Sequence, residues 1–134
     1  MAKTAFIFPG QGAQYVGMAK DFYDKYEECR KIIDEADELM DFDLKAIMFE
    51  ENELINKTEY TQAAMLAAEC CILKAVELKG IKADITAGLS LGEYAALVAS
   101  GALDFADAMK LVRKRGMYMA VSYTHLTLPT IRLV

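Results

Sequence analysis

The pentapeptide Gly88-Leu89-Ser90-Leu91-Gly92 constrains the fold of this chain more than any other stretch. An apolar run at residues 83–87 precedes it, and a helical pattern at residues 93–100 follows it. A G-x-S-x-G sequence between a strand and a helix is typical of a nucleophile elbow, a sharp turn that holds a serine above a helix N-terminus. The turn needs flanking residues without a Cβ, and the unpaired amides at the helix N-terminus could hold an oxyanion. The same residues could also form a plain strand-to-helix turn with Ser90 as the N-cap.

A second glycine-rich stretch follows the first predicted strand. Residues 4–8 are apolar and β-favouring, and the sequence Pro9-Gly10-Gln11-Gly12-Ala13-Gln14 comes directly after them. A dinucleotide-binding loop is excluded because Tyr15 stands where the third glycine belongs, and an NTP-binding loop is excluded because no Gly-Lys-Ser/Thr follows. Two interpretations remain, which are an ordinary strand-terminating turn and a loop that brings uncharged backbone amides close to a polarised carbonyl.

The rest of the pattern predicts a helical scaffold with two strands, at residues 3–8 and 84–88. Apolar residues between Phe22 and Met40 recur at spacings of four and three, which indicates one amphipathic helix or a helix pair. Residues 61–79 form another predicted helix with Gly80 as its stop, and residues 41–56 include one short helix. This order of elements fits an α/β layered domain with parallel strands.

The two glycine-rich motifs together resemble a known family. FPGQGAQ (residues 8–14) and GLSLGEYAAL (residues 88–97) resemble the malonyl-CoA:acyl carrier protein transacylases of fatty-acid synthesis and the acyltransferase domains of polyketide synthases. The resemblance extends over residues 3–120 and includes residues 56–59, Thr61-Gln62 and Arg115-Gly116. It implies an α/β fold that is part of an α/β-hydrolase-like acyltransferase domain, with parallel strands and flanking helices. Residues 1–120 would be the N-terminal part of the large subdomain, without the small ferredoxin-like subdomain.

The resemblance also implies a role for each matching residue. Ser90 would be the catalytic nucleophile that attacks the thioester of malonyl-CoA, and the backbone amides of Gln11 and Leu91 would form the oxyanion hole. Arg115 would bind the free malonyl carboxylate through a two-pronged ion pair, and a histidine would activate the serine. The reaction would need no metal and no cofactor other than the coenzyme A thioester, and the acceptor would be acyl carrier protein.

Helical periodicity predicts, independently of the family resemblance, the helix face on which Arg115 lies. Asp104 is an N-cap candidate for a helix from Phe105 to about Ala120. On that helix Arg115 shares a face with apolar residues, namely Ala108, Val112 and Met119, with Leu111 on the flank. Because a buried cation without a partner is costly, Arg115 should meet a carboxylate or a ligand. It could instead extend past the apolar stripe to solvent or pair with an internal acid.

Three other basic residues of this predicted helix, Lys110, Arg113 and Lys114, fall on its opposite side. Their positions indicate a solvated face. Acyl carrier proteins are acidic, so these residues are also candidates for a local basic docking patch.

The sequence departs from the family pattern at two places. Leu89 occupies the position before the serine, where the family usually has histidine, and this leaves the acyl preference less defined. The single histidine, His125, lies in residues 121–134, which do not match the family and resemble translated sequencing-adaptor read-through. A genuine edge strand is the alternative for this segment. We do not expect His125 to be the partner of Ser90, and we therefore expect the 134-residue chain itself to be inactive.

Composition limits the function classes further. The net charge of −5 argues against nucleic acid as a partner, and the sequence shows neither a membrane-spanning run nor a signal-peptide pattern. Cys29, Cys70 and Cys71 lack metal-ligand spacing, so we expect reduced thiols in a cytoplasmic protein. Met1 lies just before the first strand, which favours a free-standing parent enzyme. We also expect the parent enzyme to be monomeric. The alternatives to a transacylase are a serine esterase that shares the elbow and a non-catalytic fragment.

Overall fold

A computed structural model describes residues 2–133, and it describes side chains as far as Ser122. Two parallel strands, β1 (Ala5–Phe8) and β2 (Ile85–Gly88), pair in this range, with Ala5 opposite Ile85 and Phe8 opposite Gly88. Both strands lie where the sequence predicts them. Because the register aligns their carboxyl ends, the two glycine-rich segments leave the sheet side by side.

The described residues form six α-helices around this pair of strands. In chain order they are α1 (Lys20–Lys25), α2 (Glu27–Leu39), α3 (Leu44–Phe49), α4 (Thr58–Leu78), α5 (Gly92–Ala99) and α6 (Phe105–Leu133), with a 3-10 helix (Leu54–Asn56) between α3 and α4. The predicted helix pair is α1 and α2, which an extended residue, Tyr26, separates. Gly80 adopts φ +78° just beyond α4, as expected of a helix stop.

Helix α4 is at the centre of the core and packs against α2, α5 and α6. Its first half is rich in buried alanines, so its neighbours can approach closely. The α6 backbone lies so near α4 that a Cβ on Gly116 would be 3.0 Å from the Thr58 carbonyl oxygen. This close contact fixes the rotation of α6 and the direction of the adjacent Arg115. Full burial of a side chain such as Leu66 or Met109 contributes about 1.5–3 kcal/mol each.

Helix α6 is longer than the sequence predicted. Asp104 caps it as expected, because its Oδ2 accepts hydrogen bonds from the amides of Ala106 and Asp107. The helix does not end near Ala120 but continues to Leu133, so the edge-strand alternative for this segment is wrong. The threonines and β-branched residues that suggested an end lower helix propensity by less than about 0.7 kcal/mol each, and neither glycine nor proline occurs between residues 117 and 128. The assignment of residues 121–134 to a non-family tail remains a prediction.

The sheet has one covered face and one open face. Helix α5 packs on the covered face, where the Thr86 hydroxyl donates a hydrogen bond to the Ala96 carbonyl at 3.0 Å. The opposite face consists of alternate residues of both strands and the residues that follow them, and all six are exposed. We call this surface the open sheet face: Ala5, Ile7, Pro9, Ile85, Ala87 and Leu89. None of the helices in the described range has the length and apolar character needed to cross a membrane.

Candidate active site

Ser90 lies at the tip of the turn between β2 and α5. Its φ of +52° is in the left-handed region, which a non-glycine residue occupies only when the surrounding structure imposes it. The two flanking glycines explain how the turn closes. A Cβ on Gly88 would overlap the carbonyl group of Gly92, and a Cβ on Gly92 would overlap the carbonyl oxygen of Phe8. Ser90 is exposed and is not the N-cap of α5, which is Leu91, so the N-cap role that the plain-turn interpretation gave to Ser90 is wrong.

The loop after β1 packs directly against this turn. The Leu89 amide donates to the Phe8 carbonyl at 3.1 Å, and a Cβ on Gly10 would be 2.6 Å from the Leu89 carbonyl oxygen. The glutamines brace the loop, since Gln14 Oε1 accepts from the Gly12 amide at 2.7 Å and Gln14 Nε2 donates to Asn56. The loop is therefore held beside Ser90 by close contact with the Leu89 main chain and by the hydrogen bonds of the Gln14 side chain.

The backbone amides without a hydrogen-bond acceptor in the described part of the chain include those of Gln11, in the loop after β1, and Leu91, at the N-terminus of α5. A backbone N–H without an acceptor is available to a ligand, and a helix N-terminus favours negative charge. These are the two donors that the resemblance assigns to an oxyanion hole.

Arg115 reaches the serine from α6. Its Nη2 donates to Ser90 Oγ at 3.1 Å, and its Nη1 donates to Gln62 Oε1 at 2.8 Å. The guanidinium also lies 5.3 Å from the ring centroid of Tyr94. No carboxylate among the described residues pairs with this half-buried cation, so neither alternative from periodicity, an internal acid or free extension to solvent, applies.

Gln62 is the residue that sequence reasoning did not identify individually. It is 1% exposed on α4, and its Nε2 donates to Gln11 Oε1 at 3.5 Å and to Met119 Sδ at 3.3 Å. Gln11 Nε2 in turn donates to Thr58 Oγ1 at 3.0 Å. Gln62 therefore connects the loop after β1 to Arg115. The available signal was an uncharged polar residue directly before the apolar run at residues 63–68.

Arg113 does not belong to the solvated face that was predicted for it. Its Nε donates to Asp41 Oδ1 at 2.9 Å, and its Nη1 donates to the Glu59 carbonyl at 2.7 Å. The guanidinium lies over two aromatic rings that also contact each other, at 4.7 Å from the ring centroid of Phe42 and 5.4 Å from that of Tyr60. These contacts are tertiary, so periodicity within α6 could not reveal them. They hold the pKa of the Asp41 carboxyl below its usual value.

Two predictions for this region remain, one for Lys110 and Lys114 and one for His125. Lys110 and Lys114 are exposed as expected, so only these two of the three basic residues remain candidates for a docking patch. The side chain of His125 lies outside the described residues, and the structure does not test its exclusion from the site.

Comparisons with known proteins converge on one family. The family model described as acyl transferase domain matches residues 5–125. The malonyl CoA-acyl carrier protein transacylase of Bacillus subtilis strain 168 is 46% identical over 120 residues, which are 89% of this chain and 38% of the relative. The chain thus spans about two fifths of the length of the curated relatives it matches.

Solved structures agree with the sequence matches. A malonyl CoA-acyl carrier protein transacylase from Clostridium perfringens matches with a TM-score of 0.84 and 48% identity, over 88% of this chain and 38% of that one. Another match is a malonyl-transacylase in complex with a type II polyketide synthase acyl-carrier protein. It has a TM-score of 0.84 and 38% identity, over 90% of this chain and 40% of that one.

Proposed function

This chain belongs to the acyl transferase domain family, and we propose that it is the N-terminal part of an enzyme that transfers a malonyl group from coenzyme A to acyl carrier protein. The observation that carries the proposal is the 3.1 Å contact between the Arg115 guanidinium and Ser90 Oγ. A single methylene separates the two carbonyl carbons of a malonyl group. A cation that binds its carboxylate must therefore lie next to the nucleophile.

In the proposed reaction, Ser90 Oγ attacks the thioester carbonyl carbon and loses its proton to a general base. The amides of Gln11 and Leu91 stabilise the negative charge on the carbonyl oxygen. The tetrahedral intermediate then expels the coenzyme A thiolate, which leaves a malonyl ester on Ser90. Arg115 exchanges its contact with the serine for a two-pronged ion pair with the malonyl carboxylate. Acyl carrier protein accepts the malonyl group in the second half-reaction.

The general base is the part of the site that this chain does not supply in our proposal. The family resemblance assigns it to a histidine, and His125 is the only histidine of the sequence. We place the complete site in a monomeric cytoplasmic enzyme, where Cys29, Cys70 and Cys71 stay reduced.

The test uses a chimaera in which residues 1–120 continue into the part of the Bacillus subtilis relative that lies beyond its matched region. We expect this chimaera to transfer malonyl groups and the Ser90→Ala version to be inactive. Arg115→Ala should lower kcat/KM for malonyl-CoA by about 10²–10³-fold because an ion pair is lost, and it should change acetyl transfer little. An equal loss for both acyl groups would remove Arg115 from carboxylate binding.

Intact-mass measurement of the 134-residue chain with malonyl-CoA separates the other candidates. Accumulation of a malonyl adduct on Ser90 favours a transferase, and turnover to free malonate favours an esterase. We expect neither from the chain alone, because no general base stands beside Ser90 among the described side chains.

A further inference from the structure

Two lysines converge on one tyrosine, far from the candidate active site. Tyr26 separates α1 from α2, Lys25 is the last residue of α1, and Lys79 follows the last residue of α4. The Lys25 ammonium lies 5.4 Å from the ring centroid of Tyr26, and the Lys79 ammonium lies 5.7 Å from it. At 1.5 Å per residue, Lys79 is about 25 Å along α4 from Gln62 of the candidate active site. We call Lys25, Tyr26 and Lys79 the Tyr26 cluster.

The main chain fixes the direction of the Tyr26 side chain. The Tyr26 amide donates to the Phe22 carbonyl at 3.0 Å, and the Tyr26 carbonyl accepts from the Arg30 amide at 3.0 Å. The side chain packs against the hydrophobic core, so the residue is half-buried. Lys25 and Lys79 are both exposed. The cluster is therefore anchored in the fold and still open to solvent.

The charges that act on the Tyr26 phenol are both positive. Neither Lys25 nor Lys79 forms an ion pair with a carboxylate in the described part of the chain. A hydrogen bond from Lys79 and then the charge of Lys25 hold the pKa of the Tyr26 phenol below its usual value, although partial burial opposes this. Two like charges beside one ring repel each other, and a negative charge on the phenol oxygen offsets the repulsion. The cluster therefore stabilises the phenolate and attracts anions.

Other tyrosines of the chain lack this combination. Tyr15 and Tyr118 are 65% and 68% exposed, but no lysine or arginine of the described chain lies over either ring. Two cations also lie over the ring of Tyr23, but its hydroxyl donates to Asp34 at 2.9 Å. Burial and then this hydrogen bond raise the pKa of Tyr23. Cations beside a ring are therefore not sufficient, and the distinctive feature of Tyr26 is that no carboxylate accepts its hydroxyl proton.

We propose that Tyr26 is a covalent modification site, a nucleophilic phenol that accepts a sulfonyl group from an activated and negatively charged sulfonyl donor. With an arylsulfonyl fluoride as donor, the phenolate oxygen attacks the sulfur atom, an O–S bond forms and the S–F bond breaks. The phenol proton passes to solvent, and a lysine ammonium donates a hydrogen bond to the departing fluoride. The product is an arylsulfonate ester of tyrosine. The proposal involves neither Ser90 nor Arg115, so it stands or falls separately from malonyl transfer.

The first test maps labelled peptides by mass spectrometry. The dilute 134-residue chain carries Ser90→Ala, so that the elbow serine does not consume the reagent. The probe is para-(fluorosulfonyl)benzoate, and the cationic control reagent is para-(aminoethyl)benzenesulfonyl fluoride. We expect Tyr26 to react with the anionic probe at least about fivefold faster than Tyr15 or Tyr118, and the cationic reagent to lose this selectivity because both lysines repel it. Equal labelling of the three tyrosines by the anionic probe, or a sulfonamide on either lysine in place of the tyrosine ester, overturns the proposal.

Charge variants separate the cluster from general solvent exposure. Lys25→Gln combined with Lys79→Gln should reduce labelling of Tyr26 to the level of the other two tyrosines. Lys3→Gln combined with Lys57→Gln is the matched control, because it removes the same charge at two other exposed positions and should leave the selectivity unchanged. Arginine at both positions of the cluster keeps the two charges and should retain the selectivity. A glutamine pair that is labelled like the parent chain contradicts the assignment.

A further measurement needs no change to the cluster. In concentrated urea, where Lys79 separates from Tyr26, the three tyrosines should react at rates within about twofold of one another. Selectivity that persists in urea would assign the reactivity to the local sequence rather than to the fold, and would overturn the proposal. The chimaera described above should show the same selectivity as the folded chain. Its loss there would mean that the remainder of the domain covers the phenol, which also overturns the site.

Discussion

Arg115 is a cation whose two side-chain acceptors, Ser90 and Gln62, are both neutral. A neutral environment leaves its charge available to a substrate carboxylate. Gln62→Glu keeps the shape of the side chain but places a carboxylate 2.8 Å from the guanidinium. We expect this variant of the chimaera to lose about 100-fold or more in kcat/KM for malonyl-CoA, because the new acid competes with the substrate.

Gln62→Leu is the matched control for this prediction. It removes one hydrogen bond from Arg115 without neutralising the cation, so the malonyl KM should rise only about tenfold. Acetyl transfer measures any damage to the turn itself and should change little in both variants. A glutamate variant that is no worse than the leucine variant would show that the Arg115 charge is not used for binding.

Gly92 tests the geometry of the turn. A Cβ at this position would meet the backbone oxygens of Phe8 and Pro9, and the backbone cannot yield without opening the turn. We expect Gly92→Ala to lower the free energy of unfolding of the chimaera by more than about 3 kcal/mol, as measured by urea denaturation. Gly80→Ala is the control, because Gly80 has open space around it and only its positive φ opposes a side chain, so it should cost about 1–2 kcal/mol. Similar losses for both would mean that the close approach is not required.

At the scale of elements, the sequence predicted the positions of those helices and strands that local sequence patterns determine. The two strands, α4, α5 and the start of α6 lie within about three residues of their predicted positions, since periodicity, glycine stops and an aspartate cap are local signals. The side of α6 that carries Arg115 was also predicted. Arg113 was placed incorrectly because its partner Asp41 is distant in the sequence. Gln62 matched the family pattern but received no role of its own, since its importance comes from contacts with Gln11 and Arg115 that no single helix pattern contains.

The buried face of α4 gives a prediction on pH dependence. The pKa of Glu69 is raised from 4.5 to about 8 in the folded chain, so the fold holds a proton that the unfolded chain releases. Its stabilising contribution is complete below pH 4.5 and is lost as the pH rises toward 8. We expect the free energy of unfolding of the dilute chain to fall by about 2–3 kcal/mol between pH 5.5 and pH 7.5. Urea denaturation followed by circular dichroism at both values measures this change.

Glu69→Gln is the control for the pH prediction, since the amide does not titrate. Its free energy of unfolding should stay nearly constant over the same range. The depressed pKa of Asp41 acts only near and below its usual value of 3.8, outside this window. An equal slope in the variant and in the wild-type chain would assign the pH dependence to other groups.

At the scale of the whole molecule, the open sheet face separates this chain from a complete domain. Parallel sheets are normally covered on both faces, and a two-stranded sheet is marginal in water. Exposed edges follow directly from a count of two strands. The sequence could not indicate how much apolar surface is exposed. An apolar residue in a short strand gives the same sequence pattern whether or not another element packs on that face of the sheet. Ile85 and Leu89 are nevertheless 64% and 73% exposed.

We therefore expect the purified 134-residue chain to self-associate through the open sheet face, because contiguous apolar patches promote association. Sedimentation velocity should show species larger than the monomer that increase with concentration. Ile85→Thr combined with Leu89→Gln should shift the distribution to monomer. Thr replacements of Leu97 and Leu111, which are 43% and 46% exposed on α5 and α6, should not. In the chimaera, where the remainder of the domain should cover this face, the first pair should instead lower the free energy of unfolding. A wild-type chain that stays monomeric as its concentration rises would contradict this account.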